Sequence, residues 1–446
     1  MVTAIQSNTA AALTGKISVP GDKSISHRAL MIGALAVGET TISGLLEGED
    51  VLATAGAMQQ LGAEIKQDGE VWRIFGRGIG GLIEPTAVLD LGNSGTAARL
   101  LMGVLAGHNL TATLTGDASL SSRPMERVME PLRRIGADFV SRTGGLLPIT
   151  VTGAGKYNGS ALPAEETLNV ASAQVKSAIL LAGLNAAGDT IVIEPRPSRD
   201  HTEKMLAFFG ADIISKQNED GSRKITLKGQ PEITGQKVSV PGDISSAAFP
   251  IVAALITPGS DVTLENIGIN SLRAGLLDSL LEMGADLEIV NSRENAGEPV
   301  ADIRVRSSVL KGATIPAARA PSMIDEYPIL AIAAACADGT SVFEGIGELR
   351  FKESDRLEVM AEGLKDCGVE TESTKDTLTV HGKNQPPEGG VTIASRLDHR
   401  IAMSYLVLGM VSKNPVAIDD GGPIETSFPG FTKLMNGLGA NMETQE

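Results

Sequence analysis

MQQLGAEI at residues 58–65 reads as the last turn of a helix, a glycine that ends it, and the first residues of a strand. The chain repeats that pattern five more times, as LRRIGADF (132–139), LAFFGADI (206–213), LLEMGADL (280–287), LKDCGVET (364–371) and MNGLGANM (435–442). The six glycines are Gly62, Gly136, Gly210, Gly284, Gly368 and Gly439, spaced 74, 74, 74, 84 and 71 residues apart. A helix that stops in the left-handed conformation favours a residue without Cβ, so each glycine marks a helix-to-strand junction. Between the junctions lie a second kind of run, ILLAGLNAAGDTIVIEP (179–195), IVAALITPGSDVTLENI (251–267) and ILAIAAACADGTSVFEGI (329–346). Each joins an Ala/Leu/Ile helix to a β-branched strand through a Gly, Asp or Ser turn. Six α/β units are therefore expected.

A longer echo divides the six. VPGDKSIS at 19–26 returns as VPGDISSA at 240–247, at the boundary between the third and fourth repeats. Val-Pro-Gly-Asp is a common turn in its own right, and only its position at that boundary gives it weight. The two copies mark places where the chain passes between two similar lobes of three units each. Substrates are expected in the cleft between lobes, where both walls can supply polar groups.

Composition narrows the function. With 446 residues, 42% apolar and 3% aromatic, the chain can build large, closely packed cores from small aliphatic side chains. Cys336 and Cys367 show no metal-ligand spacing, so no metal site is expected. No run of about 18 uninterrupted apolar residues can span a bilayer, and the start lacks a basic, then apolar, leader, which places the protein in the cytoplasm with no membrane partner. A net charge of −16 excludes a nucleic-acid surface. The cations instead fall beside glycines, serines and prolines in short motifs, as though kept for a small anionic ligand.

Those motifs are spread along the chain from Pro20 to Arg400. Pro20 to Arg28 (PGDKSISHR) sets hydroxyls and cations behind a turn and lacks Walker spacing; His27 within it is more simply a structural histidine. Leu91 to Arg99 (LGNSGTAAR) and Ala171 to Ser177 (ASAQVKS) put small polar residues at helix starts, where free N–H groups attract anions, although a plain N-cap reads the same. Ser121 to Arg127 (SSRPMER) and Ser198 to Glu203 (SRDHTE) offer arginines for a carboxylate or phosphate. Asp325-Glu326, Lys352-Glu353 with Asp355-Arg356, and Asp398-His399-Arg400 supply carboxylates near cations, the setting for proton transfer at neutral pH. Taken alone, KESDR reads as a solvated helical face with i,i+3 charge pairs.

Together these eight ordered stretches resemble the 5-enolpyruvylshikimate-3-phosphate synthase family, in its divergent, class II-like bacterial branch, over essentially the whole chain. The resemblance implies two lobes, each of three βαβαββ units about a pseudo-threefold axis, the inside-out α/β barrel of enolpyruvyl transferases. Residues 1–20 would join 241–446 in one lobe, and 21–240 would form the other. It implies transfer of the enolpyruvyl group of phosphoenolpyruvate to the 5-hydroxyl of shikimate 3-phosphate, by addition and elimination, in a monomer that needs no cofactor and no metal.

Carried over by position, Lys23, Ser24, Arg28, Ser172, Gln174, Arg199, Asp325 and Lys352 would bind shikimate 3-phosphate. Lys23, Gly95, Arg123, Gln174, Arg356 and Arg400 would bind phosphoenolpyruvate. Asp325, Glu353 and Lys23 would be catalytic, Asp325 as the base. Relatives carry a lysine just before a Thr-Phe-Pro near the C-terminus, whereas here the stretch is Glu425-Thr426-Ser427-Phe428-Pro429, so that cation is missing. The sister enzyme, which transfers enolpyruvyl to UDP-N-acetylglucosamine, is the nearest alternative, and its mobile-loop cysteine has no counterpart in the settings of Cys336 and Cys367.

Overall fold

The computed structural model describes residues 3–445. All six repeat glycines have positive φ, from 81° at Gly368 to 119° at Gly439, and each ends a helix that a strand follows. The helices so ended are Glu49–Gln60, Glu126–Arg134, His201–Phe208, Gly275–Glu282, Arg356–Asp366 and Phe431–Leu438. The glycine lets the chain reverse tightly out of its last turn, at a φ that would strain a residue bearing Cβ.

The other six helices, Lys23–Leu35, Gly95–Ala106, Ala173–Gly183, Ile244–Ile256, Tyr327–Cys336 and His399–Gly409, are buried on nearly every face. Helices apolar all round belong inside, and small residues let them approach closely. A Cβ on Gly103 would lie 2.2 Å from the Ala178 carbonyl oxygen, so the second and third of these inner helices meet at backbone distance.

Around them stand six separate four-stranded sheets, none of which closes into a barrel through hydrogen bonds. The sheet built on Thr111–Thr115 shows the plan: Leu89–Asp90 pairs parallel to it, Leu146–Thr152 antiparallel, and Asp138–Arg142 lies outermost. In chain order that is β-α-β-α-β-β. Three sheets are completed by distant strands. Lys237–Ser239 pairs parallel with Glu39–Ser43, Thr14–Ile17 parallel with Asp261–Gly268, and Ile5–Asn8 antiparallel with Asn441–Thr444.

The chain divides into two compact units, each with its own hydrophobic core. One comprises the chain up to Pro20, Pro241–Arg293 and everything from Pro299; the other comprises Gly21–Val240 and Glu294–Glu298. The last segment corrects the sequence-based boundary, which put 294–298 with the C-terminal half. It is the tip of the hairpin Asp286–Asn295/Glu298–Arg306, and the buried Glu298 carboxylate finds its partner in His201, whose Nδ1 is 2.7 Å away. A buried carboxylate needs such a partner, and no local pattern announces one 97 residues off.

Candidate functional site

In the unit that contains residues 21–240, the inner helices present their N-termini with the motif residues on them. Asp22 caps Lys23–Leu35 by accepting from the Ile25 amide at 2.9 Å, Ser94 caps Gly95–Ala106 through Ala97 at 3.2 Å, and Ser172 caps Ala173–Gly183 through Val175 at 3.4 Å. Lys23 and Ser24, Gly95, and Ser172 with Gln174 thus sit at helix starts, where uncapped N–H groups and the helix dipole favour anions. Gln174 Nε2 donates to the Thr96 hydroxyl at 3.2 Å, joining the second and third starts. Lys23 is partly exposed and ion-paired with Asp50.

Beside Gly95 lies a group of guanidiniums. Arg123 Nη2 donates to Asn93 Oδ1 at 2.8 Å and to Ser119 Oγ at 3.0 Å, and Arg99 Nη1 donates to the Gly95 carbonyl at 3.2 Å. Burial, then the charges of Arg123 and Arg127, push the Arg99 guanidinium down to about 10, which still leaves it protonated at neutral pH. Like charges gathered at a helix start are costly unless an anion is to be bound there. Arg99 stands in the LGNSGTAAR motif, but the sequence assigned it no role.

Arg28 is placed differently from its expected neighbours. Its guanidinium is buried and donates to Thr202 Oγ1 at 2.7 Å, Ser177 Oγ at 2.8 Å and the Ser24 carbonyl at 2.9 Å. It therefore ties three motifs together from within. His27 is buried with Nδ1 2.8 Å from Thr54 Oγ1, and burial, aided by Lys23 and Arg28, keeps it neutral, as a structural histidine should be. Arg199 lies in the segment between Thr190–Glu194 and His201–Phe208.

In the other unit a second cluster forms around Asp325, which sits in a 3₁₀ turn ahead of Tyr327–Cys336. Its Oδ1 is 3.3 Å from Arg356 Nη1 and 3.5 Å from Lys352 Nζ, and Arg400 Nη1 donates to its main-chain carbonyl at 3.1 Å. Arg356, 1% exposed, also binds Asp398 Oδ2 through Nε at 2.8 Å and pairs with Glu353. Asp398 caps His399–Gly409 by accepting from the Arg400 amide at 3.0 Å, so one carboxylate fixes both arginines. KESDR is thus no solvated helical face: Arg356 opens the helix, and its guanidinium is the buried hub of three carboxylates.

Two carboxyls of this unit are driven apart in acidity. Glu326 is fully buried, takes a hydrogen bond from Ser245 Oγ, and has its carboxyl pushed up by burial against the pull of Arg273 and Arg400. Burial also opposes ionisation of Glu353, yet Arg356 overrides it and holds that carboxyl at about 2. His399 contributes no cation at neutral pH, because burial and then Arg400 press it down to about 3. Asp243 of the second Val-Pro-Gly-Asp copy extends the cluster, accepting from Arg273 Nη2 at 3.0 Å, and the same Nη2 donates to Ser245 Oγ at 2.7 Å. Arg273 carries no motif that could have pointed to it.

At the position of the missing lysine, Thr426 turns its hydroxyl onto the Pro423 carbonyl at 2.7 Å. Both cysteine thiols are pushed up to about 12 by burial, so neither is a ready thiolate nucleophile. No helix of the described residues is long and apolar enough to cross a membrane.

In each unit, inner helices with three four-stranded sheets, and capped helix starts or buried carboxylates beside arginines, define an enolpyruvyl transferase. A model of the EPSP synthase family (3-phosphoshikimate 1-carboxyvinyltransferase) matches residues 7–435. The 3-phosphoshikimate 1-carboxyvinyltransferase of Paramagnetospirillum magneticum is 60% identical over 443 residues, 99% of this chain and 98% of that protein. The one from Rhodospirillum rubrum is 60% identical over 433 residues, 96% of this chain and 95% of its own. The solved EPSP synthase of Acinetobacter baumannii superposes with a TM-score of 0.90 at 45% identity, covering all of both chains. The chain belongs to the EPSP synthase family.

Proposed function

We infer that this chain transfers the enolpyruvyl group of phosphoenolpyruvate to the 5-hydroxyl of shikimate 3-phosphate and releases phosphate. The observation that carries the reading is the Asp325 carboxylate held between Lys352 and Arg356, with Arg400 on its own carbonyl: a base embedded among anion-binding cations. In the addition step the 5-hydroxyl oxygen bonds to C2 of phosphoenolpyruvate, its proton passes to Asp325, and a proton reaches the methylene carbon to make a methyl group. In the elimination step that methyl group gives up a proton, the C2–O bond to phosphate breaks, and the double bond is restored.

Glu353, ionised at neutral pH, is suited to take the methyl proton in the elimination, and it must first be protonated to deliver one to the methylene carbon in the addition. Lys23 and Lys352 offset the charge of the tetrahedral intermediate and of departing phosphate. Arg123, Arg356, Arg400 and Gly95, with Gln174, receive phosphoenolpyruvate; Ser24, Arg28, Ser172, Gln174 and Arg199 receive shikimate 3-phosphate. Arg99 joins the first group by its place beside Gly95 and Arg123. These steps need proton transfer and charge stabilisation alone, in a cytoplasmic monomer.

The test is phosphate release from phosphoenolpyruvate with shikimate 3-phosphate and, separately, with UDP-N-acetylglucosamine. Release with the first alone is expected. Release with the sugar nucleotide alone would move the chain to the sister activity, which the buried thiols already disfavour.

Gly95 bears on inhibition by glyphosate, a phosphoenolpyruvate analogue. A Cβ there would lie 2.9 Å from Arg99 Nη1 and 3.2 Å from Arg123 Nη1, both flexible ends that can draw back at the expense of the anion pocket. Gly95→Ala is expected to raise the glyphosate inhibition constant by about tenfold or more, the usual effect of one methyl group in a tight pocket, and KM for phosphoenolpyruvate by less. Equal rises in both constants would count against selective crowding.

A further inference from the structure

We propose that the buried Lys176–Glu194 pair is a positioning device for shikimate 3-phosphate, holding Ser198, and through it Arg199, in register with Ser172 and Gln174. This rests on the reading of Ser172, Gln174 and Arg199 as ligands of that substrate. Lys176 and Glu194 both have fully buried side chains, with Nζ 3.0 Å from Glu194 Oε1. Besides an approach of Lys176 to the Glu203 carboxylate, the pair's bonding goes to the residue just before Arg199. Lys176 Nζ donates to the Ser198 carbonyl at 3.2 Å, the Ser198 amide donates to Glu194 Oε1 at 3.1 Å, and the Ser198 hydroxyl donates to Glu194 Oε2 at 2.5 Å.

The two anchors belong to rigid elements. Lys176 is on the helix Ala173–Gly183, one turn beyond its cap Ser172 and two residues beyond Gln174; Glu194 ends the strand Thr190–Glu194. Helix, strand and loop are thereby locked at one point, with the three ligand positions around it. Glu203, at the start of the next helix, brings Oε1 within 2.8 Å of Nζ without hydrogen-bond alignment, and burial pushes its carboxyl up. Stability alone is a poor reason for such a cluster, since well-packed apolar residues in place of a buried ion pair commonly hold a fold as well or better. Ser198 is where the polar groups do what apolar ones cannot.

Four proteins decide the matter: wild type, Lys176→Met/Glu194→Leu, Ser198→Ala and Arg199→Ala. Each is measured for the Kd of shikimate 3-phosphate by calorimetry, KM for phosphoenolpyruvate, and Tm. The double variant, which leaves buried Glu203 without its cation, is expected to lower Tm. It should keep KM for phosphoenolpyruvate within about twofold, while the Kd of shikimate 3-phosphate rises about tenfold or more, as misplaced binding groups require. Ser198→Ala, which keeps the ion pair, should show a smaller rise in the same constant alone. A folded double variant that binds shikimate 3-phosphate as wild type does would overturn the proposal, as would equal losses for both substrates. Should the double variant not fold, wild-type binding by Ser198→Ala would overturn it. Wild-type binding by Arg199→Ala would instead remove Arg199 from the substrate site, and the inference with it.

Discussion

Asp325→Asn is expected to lower kcat by about 10²–10⁴-fold, the range that a positioned acid–base group contributes, while shikimate 3-phosphate still binds. The amide matches the carboxylate in shape, so the 3₁₀ turn should stand and its main-chain carbonyl can still accept from Arg400 at 3.1 Å. What is lost is the site that receives the 5-hydroxyl proton. Arg356 keeps Glu353 and Asp398 as partners, so the surrounding fold should not suffer. Rapid-quench measurement of phosphate release, beside the Kd of shikimate 3-phosphate, separates chemistry from binding. A kcat within tenfold of wild type would remove Asp325 from the role of base.

The second large effect is on the fold. Arg356→Met should destabilise the protein by about 3–5 kcal/mol at neutral pH, the usual result of removing one partner from a buried ion cluster. Asp398, 0% exposed, would be left with the Ser354 hydroxyl and the Arg400 amide but no guanidinium. The pH dependence follows from the direction of the shifts. Asp398 and Glu353 are held below the usual carboxylate range, Glu353 at about 2, with Arg356 as the chief cation in each case.

Carboxyls depressed in the folded state add stability above the unfolded value of about 4, and that stability fades as pH falls through the folded value. The variant has less of it to lose. The gap between wild type and variant should therefore be widest near neutrality and shrink from about pH 5 toward pH 2, as read from urea midpoints across that range. A constant gap would mean that Arg356 acts through packing and not through charge.

Much of this was legible in the sequence, because it is written in local rules. The glycine spacing announced six units, and all six glycines do take positive φ. The small polar residues of LGNSGTAAR and ASAQVKS announced helix starts, and Ser94 and Ser172 do cap them; Asp22, Asp243 and Asp398 cap three more, which the sequence reading took for turns or acid–base groups. Both features depend on a few consecutive residues and on the period of the helix. Their order along the chain was enough to point to the family.

Partners far apart in sequence were not legible. Asp325 and Glu326 share every local signal, yet one faces Lys352 and Arg356 while the other is sealed against Ser245, and residues up to 81 positions away decide which. Nothing near Lys176 or Glu194 in the chain says that they meet at Ser198, or that Arg28 would turn inward to Thr202 and Ser177. The strand Ile5–Asn8 lies between Val416–Ile418 and Asn441–Thr444 and pairs antiparallel with both, and nothing in its four residues names those partners. The sequence by itself determined the repeat, the caps, the placement of motifs on helix starts and hence the enzyme class. Only tertiary structure decided which charges are buried, which carboxylates share a cation and which groups can accept a proton, because burial and long-range pairing set the energy of a charge.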